Sequence, residues 1–299
     1  MYYKNIKSSS DGLNLSIAYS IPKEKPKGII QFSHGMAEHK ERYFPFMEYL
    51  TNNGYICIIN DHRGHGNSIK SQNDLGNFYT NNIDYIINDL YDVTKFAKNK
   101  FNCNNYYMFS HSMGTLIVRN YIQKYDKEIK KLILCGPPTD NKRVHIGLVM
   151  AYITSIFYYN KRNDFLNFIT FNSFNKKYNY KNAWLSKNKR NVNNYNKDNL
   201  CGFTFTTNGF INLYKLQIRA FKKELYNCNN KKLKILILAG KDDPVIGNIN
   251  LFNNLKSFLL NVGYIDINSK LYEQLRHEIL NEENNIIIYQ DILKFLEIS

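Results

Sequence analysis

The sequence predicts an α/β fold, in which helices cover both faces of a mainly parallel β-sheet. Short apolar runs alternate along the 299 residues with segments whose apolar residues recur every three or four positions. The runs are typical of buried parallel strands, and the longer spacing is typical of helices that lie against a sheet. The predicted strands are GIIQF (28–32), YICIIN (55–60), YYMF (106–109), KLILCG (131–136), KILILAG (234–240) and SKLYE (269–273).

Three segments carry the helical pattern. Apolar residues at 83, 86, 87, 90, 93 and 96 form one helical face, a second helix is predicted to begin directly after Ser112, and a last one covers residues 286–296. The first 20 residues alternate in the manner of a strand. The pattern stops from Pro137 to about Leu213, where a stretch rich in Phe, Tyr, Asn and Lys follows two prolines. We therefore predict a core of residues 1–136 and 214–299 with an inserted helical cap at residues 137–213.

The formal net charge of +15 fits a nucleic acid, an anionic membrane or an acidic substrate as partner. The lysines are spread along the whole chain beside abundant Asn, Ile and Tyr, which indicates a general residue bias rather than a designed patch. Five widely spaced cysteines without a Cys-x-x-Cys pair indicate free thiols. The N-terminal segment lacks the apolar run of a signal peptide, so we expect a cytoplasmic protein.

The longest apolar segment, residues 146–159, is shorter than the roughly 20 residues that span a bilayer. We expect it to make transient contact with a membrane or micelle surface instead, through the cap. The oligomeric state stays open.

The segment FSHSMG (109–114) places Ser112 between a predicted strand and a predicted helix. A turn of the form small-x-Ser-x-Gly at this position presents the serine as a nucleophile above a parallel sheet. The first small residue is Ser110, where glycine is usual. We predict that this substitution is tolerated, because serine adds only a β-carbon and a hydroxyl that can donate to a nearby carbonyl.

A nucleophilic serine needs a base, and the base needs an acid that orients it. After such a turn the acid comes first along the chain and the histidine last. His277 is the histidine that follows the sixth predicted strand, so it is the predicted base. Asp242 and Asp243 follow the strand 234–240. We favour Asp243, because three residues after Gly240 give the turn room to curl, and Asp242 remains the alternative.

Ester hydrolysis also needs two backbone N–H donors for the oxyanion. Met113, directly after the serine, supplies the first donor in this interpretation. The second is expected after the first predicted strand, in Ser33-His34-Gly35-Met36. Gly35 permits an unusual backbone angle that can direct the amide of Met36 inward.

The loop DHRGHG (61–66) permits a second interpretation, because His62 and His65 beside an aspartate could bind zinc. A third ligand at recognisable spacing is missing, and the two glycines explain the loop as a scaffold turn. His111 is likewise expected to be a packed scaffold residue. No metal and no organic cofactor is expected.

Five motifs, FSHGMAEHKERY, NDHRGHGNS, SHSMG, AGKDDPV and LRHEILNE, stand in this order along nearly the whole chain. Together they resemble the monoacylglycerol lipase and lysophospholipase branch of the α/β-hydrolases. The chain departs from that pattern only at Ser110 and Thr115, where the family has glycine. The resemblance implies an α/β-hydrolase fold with the same residues in the same roles as the order of the chain suggests: Ser112, Asp243 and His277 as triad, and the amides of Met36 and Met113 as oxyanion hole. NLCGFTFTTNGF (199–210) resembles the segment that returns from the cap in bacterial members.

We therefore expect a serine hydrolase that cleaves esters of single-chain lipids, a monoacylglycerol or a lysophospholipid, through an acyl-enzyme. The alternatives are a general carboxylesterase or thioesterase and, more remotely, a peptidase or acyltransferase on the same scaffold. From another class, the chain could be a non-catalytic or nucleic-acid-binding basic protein, because aromatic residues alternate with Lys and Arg at 175–197. Since no triad member is missing, we expect catalysis and no nucleic acid.

Overall fold

The computed structural model describes residues 1–176 and 178–298. Their strands are Tyr2–Lys7 (β1), Asn14–Ser20 (β2), Gly28–Ser33 (β3), Tyr55–Asn60 (β4), Tyr106–His111 (β5), Lys131–Cys135 (β6), Lys234–Gly240 (β7) and Asp266–Tyr272 (β8). They form one eight-stranded sheet in the order β1-β2-β4-β3-β5-β6-β7-β8. The six predicted strands are confirmed, and the last of them begins at Asp266 rather than Ser269.

The pairs from β4 through β8 are parallel, whereas β1 pairs with β2 and β2 pairs with β4 in antiparallel fashion. The parallel strands β3 to β6 are buried along their whole length. This burial explains why they appear in the sequence as continuous apolar runs rather than as an alternation. The predicted α/β class is confirmed.

The helices are Phe44–Asn52 (α1), Asp84–Lys100 (α2), Met113–Tyr125 (α3), Arg143–Tyr158 (α4), Asp164–Asn175 (α5), Lys189–Lys197 (α6), Thr207–Ala220 (α7), Ile249–Val262 (α8) and Ile286–Glu297 (α9). Apolar side chains of α1 and α9 form one core layer on one face of the sheet. Those of α2, α3 and α8 form the other layer. The sheet is therefore covered on both sides, as the helical spacing predicts.

Between β6 and β7 the chain forms α4 to α7, and α7 continues past residue 213, where the sequence predicts the end of the cap. Helix α7 is tied to α3, since the Asn120 amide donates to the carbonyl of Leu216 at 2.9 Å. None of the helices in the described part of the chain is long and apolar enough to cross a bilayer.

Strands β3, β5, β6 and β7 are parallel to one another, so their carboxyl ends meet at one edge of the sheet. The loops that leave this edge carry Gly35, Ser112, Gly136 and Asp243. The carboxyl edge of an open parallel sheet is where such folds collect their functional side chains.

Candidate active site

Ser112 occupies a strained turn between β5 and α3. Its φ of 50° and ψ of −121° lie in a region that residues with a side chain rarely adopt. Its amide donates to the carbonyl of Cys135 on the neighbouring strand at 3.0 Å, which fixes the turn against the sheet. A β-carbon on Gly114 would stand 2.1 Å from the carbonyl oxygen of Ser33. Glycine at 114 therefore lets the helix start pass close to the end of β3.

Ser110 and Thr115 replace the two glycines of the family pattern, and both hydroxyls have partners. The Ser110 hydroxyl is fully buried and donates to the carbonyl of Ile133 on β6 at 2.9 Å. The expectation that a nearby carbonyl accepts from this hydroxyl is confirmed. The Thr115 hydroxyl donates to the carbonyl of Ser112 at 2.7 Å. Neither substitution leaves an unpaired polar group beneath the turn.

Asp243 and His277 form a buried hydrogen-bonded pair. His277 Nδ1 donates to Asp243 Oδ2 at 2.9 Å, and the other carboxylate oxygen accepts from the amide of Val245 at 2.8 Å. Because the carboxylate accepts, Nδ1 carries a hydrogen, and Nε2 is the ring nitrogen that can accept a proton. The alternative acid, Asp242, is exposed, and its amide donates to the carbonyl of Leu275.

Gly136, the first residue after β6, brings this pair close to the serine turn. Its φ is 55°, and a β-carbon there would stand 3.1 Å from His277 Nδ1 and 3.3 Å from Asp243 Oδ2. The residue before it, Cys135, accepts the hydrogen bond from the Ser112 amide. The structure thus gathers the predicted nucleophile, acid and base around one end of β6.

The loop after β3 approaches the serine from the other side. A β-carbon on Gly35 would stand 3.2 Å from the Ser112 β-carbon and 2.6 Å from a carboxylate oxygen of Glu38. The expectation of an unusual angle at Gly35 is wrong, because the left-handed residue of this loop is Ala37, with φ 51°. Glycine stands at 35 for close approach rather than for its backbone angle. The loop therefore brings Gly35, the residue before Met36, beside the serine turn.

Arg42 joins three parts of the molecule around the site. Its guanidinium donates to Glu38 at 2.6 Å and to both carboxylate oxygens of Glu278 at 2.6 and 2.7 Å. It also donates to Asn191 on α6 at 3.2 Å and lies 4.9 Å from the ring centroid of Tyr195. The loop after β3, the histidine loop and α6 are therefore held by one cation. The sequence analysis did not identify this network, although Glu38 and Arg42 stand four residues apart.

The charges in this network shift the pKa values of its members. Burial would raise the pKa of the Glu38 and Glu278 carboxyls, but Arg42 holds both below their usual value. Burial would lower the pKa of His111, but the neighbouring Glu38 carboxylate raises it. His111 has its two ring nitrogens 3.4 Å from Glu38 and 3.3 Å from the carbonyl of His277. This geometry fits the expected scaffold role of His111.

The two histidines of the disfavoured zinc interpretation contact the ring of His34, His62 in a tilted and His65 in an edge-to-face arrangement. The amide of His62 donates to His34 Nε2 at 2.9 Å, and His62 Nε2 is 3.0 Å from the hydroxyl of Ser33. Burial lowers the pKa of His62 to about 3 and that of His65 to about 4, so both rings are neutral at pH 7. Their hydrogen bonds make them part of the scaffold under the loop after β3.

His39, Asp198 and Cys201 are the one group of potential metal ligands that meet within the described residues. His39 Nε2 is 2.8 Å from Asp198 Oδ2. Zinc bonds of 2.0 to 2.1 Å in a tetrahedral arrangement would separate these two atoms by about 3.3 Å. The pair is therefore a direct hydrogen bond between the segment after β3 and the segment after α6.

A basic depression of about 700 Å³ lies at the opposite edge of the sheet. Its lining includes Lys27, Lys130, Lys131, Lys232 and Lys234, from the segments that lead into the parallel strands. The strands are five to seven residues long, so this depression is roughly 15 to 20 Å from the serine turn. Several lysines already have partners: Lys27 pairs with Glu297, and Lys131 donates to the carbonyl of Leu296. We place the site at the carboxyl edge.

Solved structures with similar folds include hydrolases. A thermostable carboxyl esterase from Bacillus coagulans superposes with a TM-score of 0.90 at 21% identity, covering 99% of this chain and 97% of the other. A monoglyceride lipase from Saccharomyces cerevisiae superposes with a TM-score of 0.73 at 19% identity, covering 99% and 94%. At these identities the likeness shows the fold, which is the predicted α/β-hydrolase fold.

Two curated proteins are similar in sequence over shorter segments. The "Monoacylglycerol lipase" of Mycolicibacterium smegmatis is 29% identical over 123 residues, which are 40% of this chain and 42% of that protein. The "Probable lysophospholipase L2" of Haemophilus influenzae is 24% identical over 127 residues, 42% of this chain and 40% of that protein. This chain matches less than half the length of either relative.

The profile of a hydrolase family, described as serine aminopeptidase S33, matches residues 24–284. This range runs from the segment before β3 to the loop after His277, so it includes every candidate site residue. The chain belongs to the serine aminopeptidase S33 family of α/β-hydrolases.

Proposed function

We propose that this protein is a serine hydrolase that cleaves carboxylic esters of single-chain lipids, monoacylglycerols or lysophospholipids, through an acyl-enzyme. The observation that carries the proposal is the buried hydrogen bond between Asp243 and His277 beside the strained turn at Ser112. A carboxylate that fixes one nitrogen of a neutral imidazole leaves the other nitrogen as a base. The names of the two curated relatives support the lipid substrate.

In the first half of the reaction, the Ser112 hydroxyl attacks the ester carbonyl while His277 Nε2 takes its proton. The oxyanion accepts hydrogen bonds from the amides of Met36 and Met113. The tetrahedral intermediate then collapses, and His277 gives the proton to the departing alcohol. Asp243 stabilises the imidazolium that forms between these steps.

In the second half, a water molecule gives a proton to His277 and attacks the acyl carbon. The bond to Ser112 breaks, the serine recovers its proton, and the fatty acid leaves. These reaction steps use no metal and no organic cofactor.

We place a cap at residues 137–213 above a core of residues 1–136 and 214–299, and we assign the acyl chain to the cap. The cap has an apolar composition around α4 and α5. A buried methylene contributes about 0.8 kcal/mol, so an eight-carbon chain gains on the order of 6 kcal/mol before ordering costs.

We further propose a cytoplasmic protein that touches membranes or micelles through the cap. Exposed apolar side chains support this contact: Ile146, Val149, Ile153, Ile156, Phe157, Phe165 and Phe168 on α4 and α5 are each at least half exposed. Apolar patches of this kind mark contact surfaces in proteins of otherwise polar exterior. No nucleic-acid partner is proposed.

A general carboxylesterase is the second candidate, because the B. coagulans structure is described as a carboxyl esterase. The two candidates differ in how rate depends on acyl length. Purified protein and Ser112→Ala are assayed on glycerol esters and lysophospholipids with acyl chains of two to eighteen carbons. We expect rates that rise to a maximum at medium or long chains, low rates on triacylglycerols, and no hydrolysis by Ser112→Ala. A flat profile, or a preference for acetate, assigns the protein to the general esterases.

A further inference from the structure

The single tryptophan of the chain stands against the proposed base. The indole centroid of Trp184 lies 5.2 Å from the imidazole centroid of His277, with the two planes tilted by 36°. The ring of Phe174 packs on the indole at 5.2 Å, and Trp184 itself is partly buried. The tryptophan belongs to a 3-10 turn, Ala183–Leu185, between α5 and α6. A residue far from the triad in sequence thus covers one of its members.

The two neighbours of the proposed base hold the turn that carries this tryptophan. The Arg276 guanidinium donates to the carbonyls of Ala183 at 2.6 Å and Ser186 at 3.0 Å. The amide of Glu278 donates to the carbonyl of Leu185 at 2.7 Å. Since the donors flank residue 277 on both sides, the indole and the imidazole are fixed relative to each other.

Apart from the indole, the contacts of the imidazole do not fully fix the orientation of the ring. Asp243 holds the ring through one hydrogen bond, at Nδ1, so rotation about the side-chain bonds is opposed at that atom. Gly136 leaves space for the ring, and the ring of His111 lies 4.6 Å away. His277 is only 2% exposed, and Trp184 supplies part of that cover.

We propose that Trp184 is a positioning residue that keeps His277 Nε2 directed at Ser112. The role in catalysis rests on the proposed serine mechanism. An indole against the imidazole further restricts rotation about the side-chain bonds and keeps water from that side. Its π-face is also favourable to the imidazolium that carries the proton in each half of the reaction.

Steady-state kinetics on p-nitrophenyl butyrate separate this role from a substrate-contact role. We expect Trp184→Ala to lower kcat by about 100-fold with KM within about threefold, because a small misplacement of a catalytic group has this effect. Trp184→Phe restores most of kcat. Tyr3→Ala, which removes an exposed ring from the edge strand β1, is the matched control and stays at the parent rate. Unchanged kcat in Trp184→Ala, or a rise in KM alone, overturns the proposal.

Fluorescence tests the contact without any turnover. Because the chain has one tryptophan, its emission reports this position alone. Because the imidazole of His277 covers the indole, His277→Ala should increase the quenching of the Trp184 emission by acrylamide at a fixed pH. His277→Gln, which keeps a side chain of similar size, should stay closer to the parent.

Asp242→Asn, at an exposed position of the neighbouring loop, is the control and should leave the acrylamide quenching near that of the parent. Quenching that is unchanged in His277→Ala overturns the proposal. These readings stand even if Trp184→Ala does not fold or the parent hydrolyses no ester, so failure of the proposed function is recognised separately.

Discussion

The two halves of the segment between β6 and β7 differ in what their apolar side chains contact. In the apolar half, residues 143–175 with α4 and α5, Ile156 and Phe157 are 73% and 76% exposed. In the anchored half, residues 183–202 with α6, Leu185, Val192 and Tyr195 are buried. One insertion therefore contains a surface that is open to solvent and a segment that is packed into the site.

Hydrogen bonds follow the same division. In the anchored half, the amide of Gly202 and the hydroxyl of Tyr195 both donate to the carbonyl of Ala37, in the loop that carries the proposed oxyanion donor. The apolar half is attached instead to α7, where the hydroxyls of Thr170 and Tyr214 lie 2.6 Å apart. The comparison teaches that the anchored half makes the hydrogen bonds to the loops around the proposed site, whereas the exposed side chains of the apolar half are open to contact lipid.

The largest effect is expected from Arg42, which joins the anchored half to the core. Arg42→Met leaves the buried carboxylates of Glu38 and Glu278 without their cation, so we expect a loss of about 3 to 5 kcal/mol in unfolding free energy. Ester hydrolysis should fall with it. The matched control is Arg190→Ala on the exposed side of α6, which should stay within about 0.5 kcal/mol. If the two variants have equal urea midpoints, Arg42 does not stabilise the fold through its ion pairs with Glu38 and Glu278.

The apolar half should respond in the opposite way. The double substitution Ile156→Ser and Phe157→Ser changes exposed positions, so the unfolding free energy should stay within about 1 kcal/mol. Each lost side chain removes at least about 1.5 kcal/mol of burial in lipid, so binding to anionic vesicles should weaken about 100-fold. Val192→Ser on α6 is the inverse control, destabilised but unchanged in vesicle binding. If the double variant still binds vesicles like the parent, the apolar half is not the contact surface.

A pH titration tests the scaffold on which the anchored half rests. His65 packs against Phe203 and Phe205 of the segment returning from the cap, and burial lowers its pKa to about 4. In the unfolded chain this histidine takes up a proton near pH 6.5. The contribution of the buried, neutral His65 to the unfolding free energy is therefore fully present above pH 6.5 and is lost as the pH falls toward 4. Each such histidine contributes about 1.4 kcal/mol per pH unit to the slope.

His65→Gln should flatten the slope of stability against pH between 6.5 and 4, as measured by urea unfolding. His145→Gln, at an exposed position of the apolar half, is the control and should leave the slope unchanged. If both variants follow the parent, the buried histidine is not the source of acid sensitivity.

The smallest effect is expected beneath the serine turn. Ser110→Gly removes a hydroxyl together with its hydrogen bond to Ile133, so activity should stay within about tenfold, or roughly 1.4 kcal/mol. Ser110→Leu should differ, because overpacking this fully buried position costs about 1 to 3 kcal/mol and displaces Ser112. Thermal unfolding and turnover are compared for both. A leucine variant that matches the parent would show that the position is not tight.

The sheet could be predicted because its strands are buried on both faces and so appear as continuous apolar runs, such as residues 55–60 and 234–240. The loops that carry Ser112, Asp243 and His277 could be predicted from the order in which the loops leave the sheet. The backbone angle at Gly35 could not be predicted, because a close approach and a left-handed backbone both favour glycine.

Contacts between distant segments could not be predicted. Arg42 and Glu278 are 236 positions apart, and their ion pair depends on how α6 and the histidine loop meet in space. Trp184 stands in a stretch whose composition indicates only an irregular cap. A local pattern of apolar or charged residues does not show which distant loop such a side chain contacts. The roles of these residues can therefore be identified only from the three-dimensional structure.

The proposed triad is tested most directly by labelling with a fluorophosphonate and mapping the modified residue by mass spectrometry. We predict one labelled serine, Ser112, with no label on Ser112→Ala and labelling slowed by orders of magnitude in His277→Ala. Asp243→Asn should slow the labelling strongly, whereas Asp242→Asn should leave it near the parent rate. A label on another residue, or fast labelling of Asp243→Asn beside a crippled Asp242→Asn, would contradict the account.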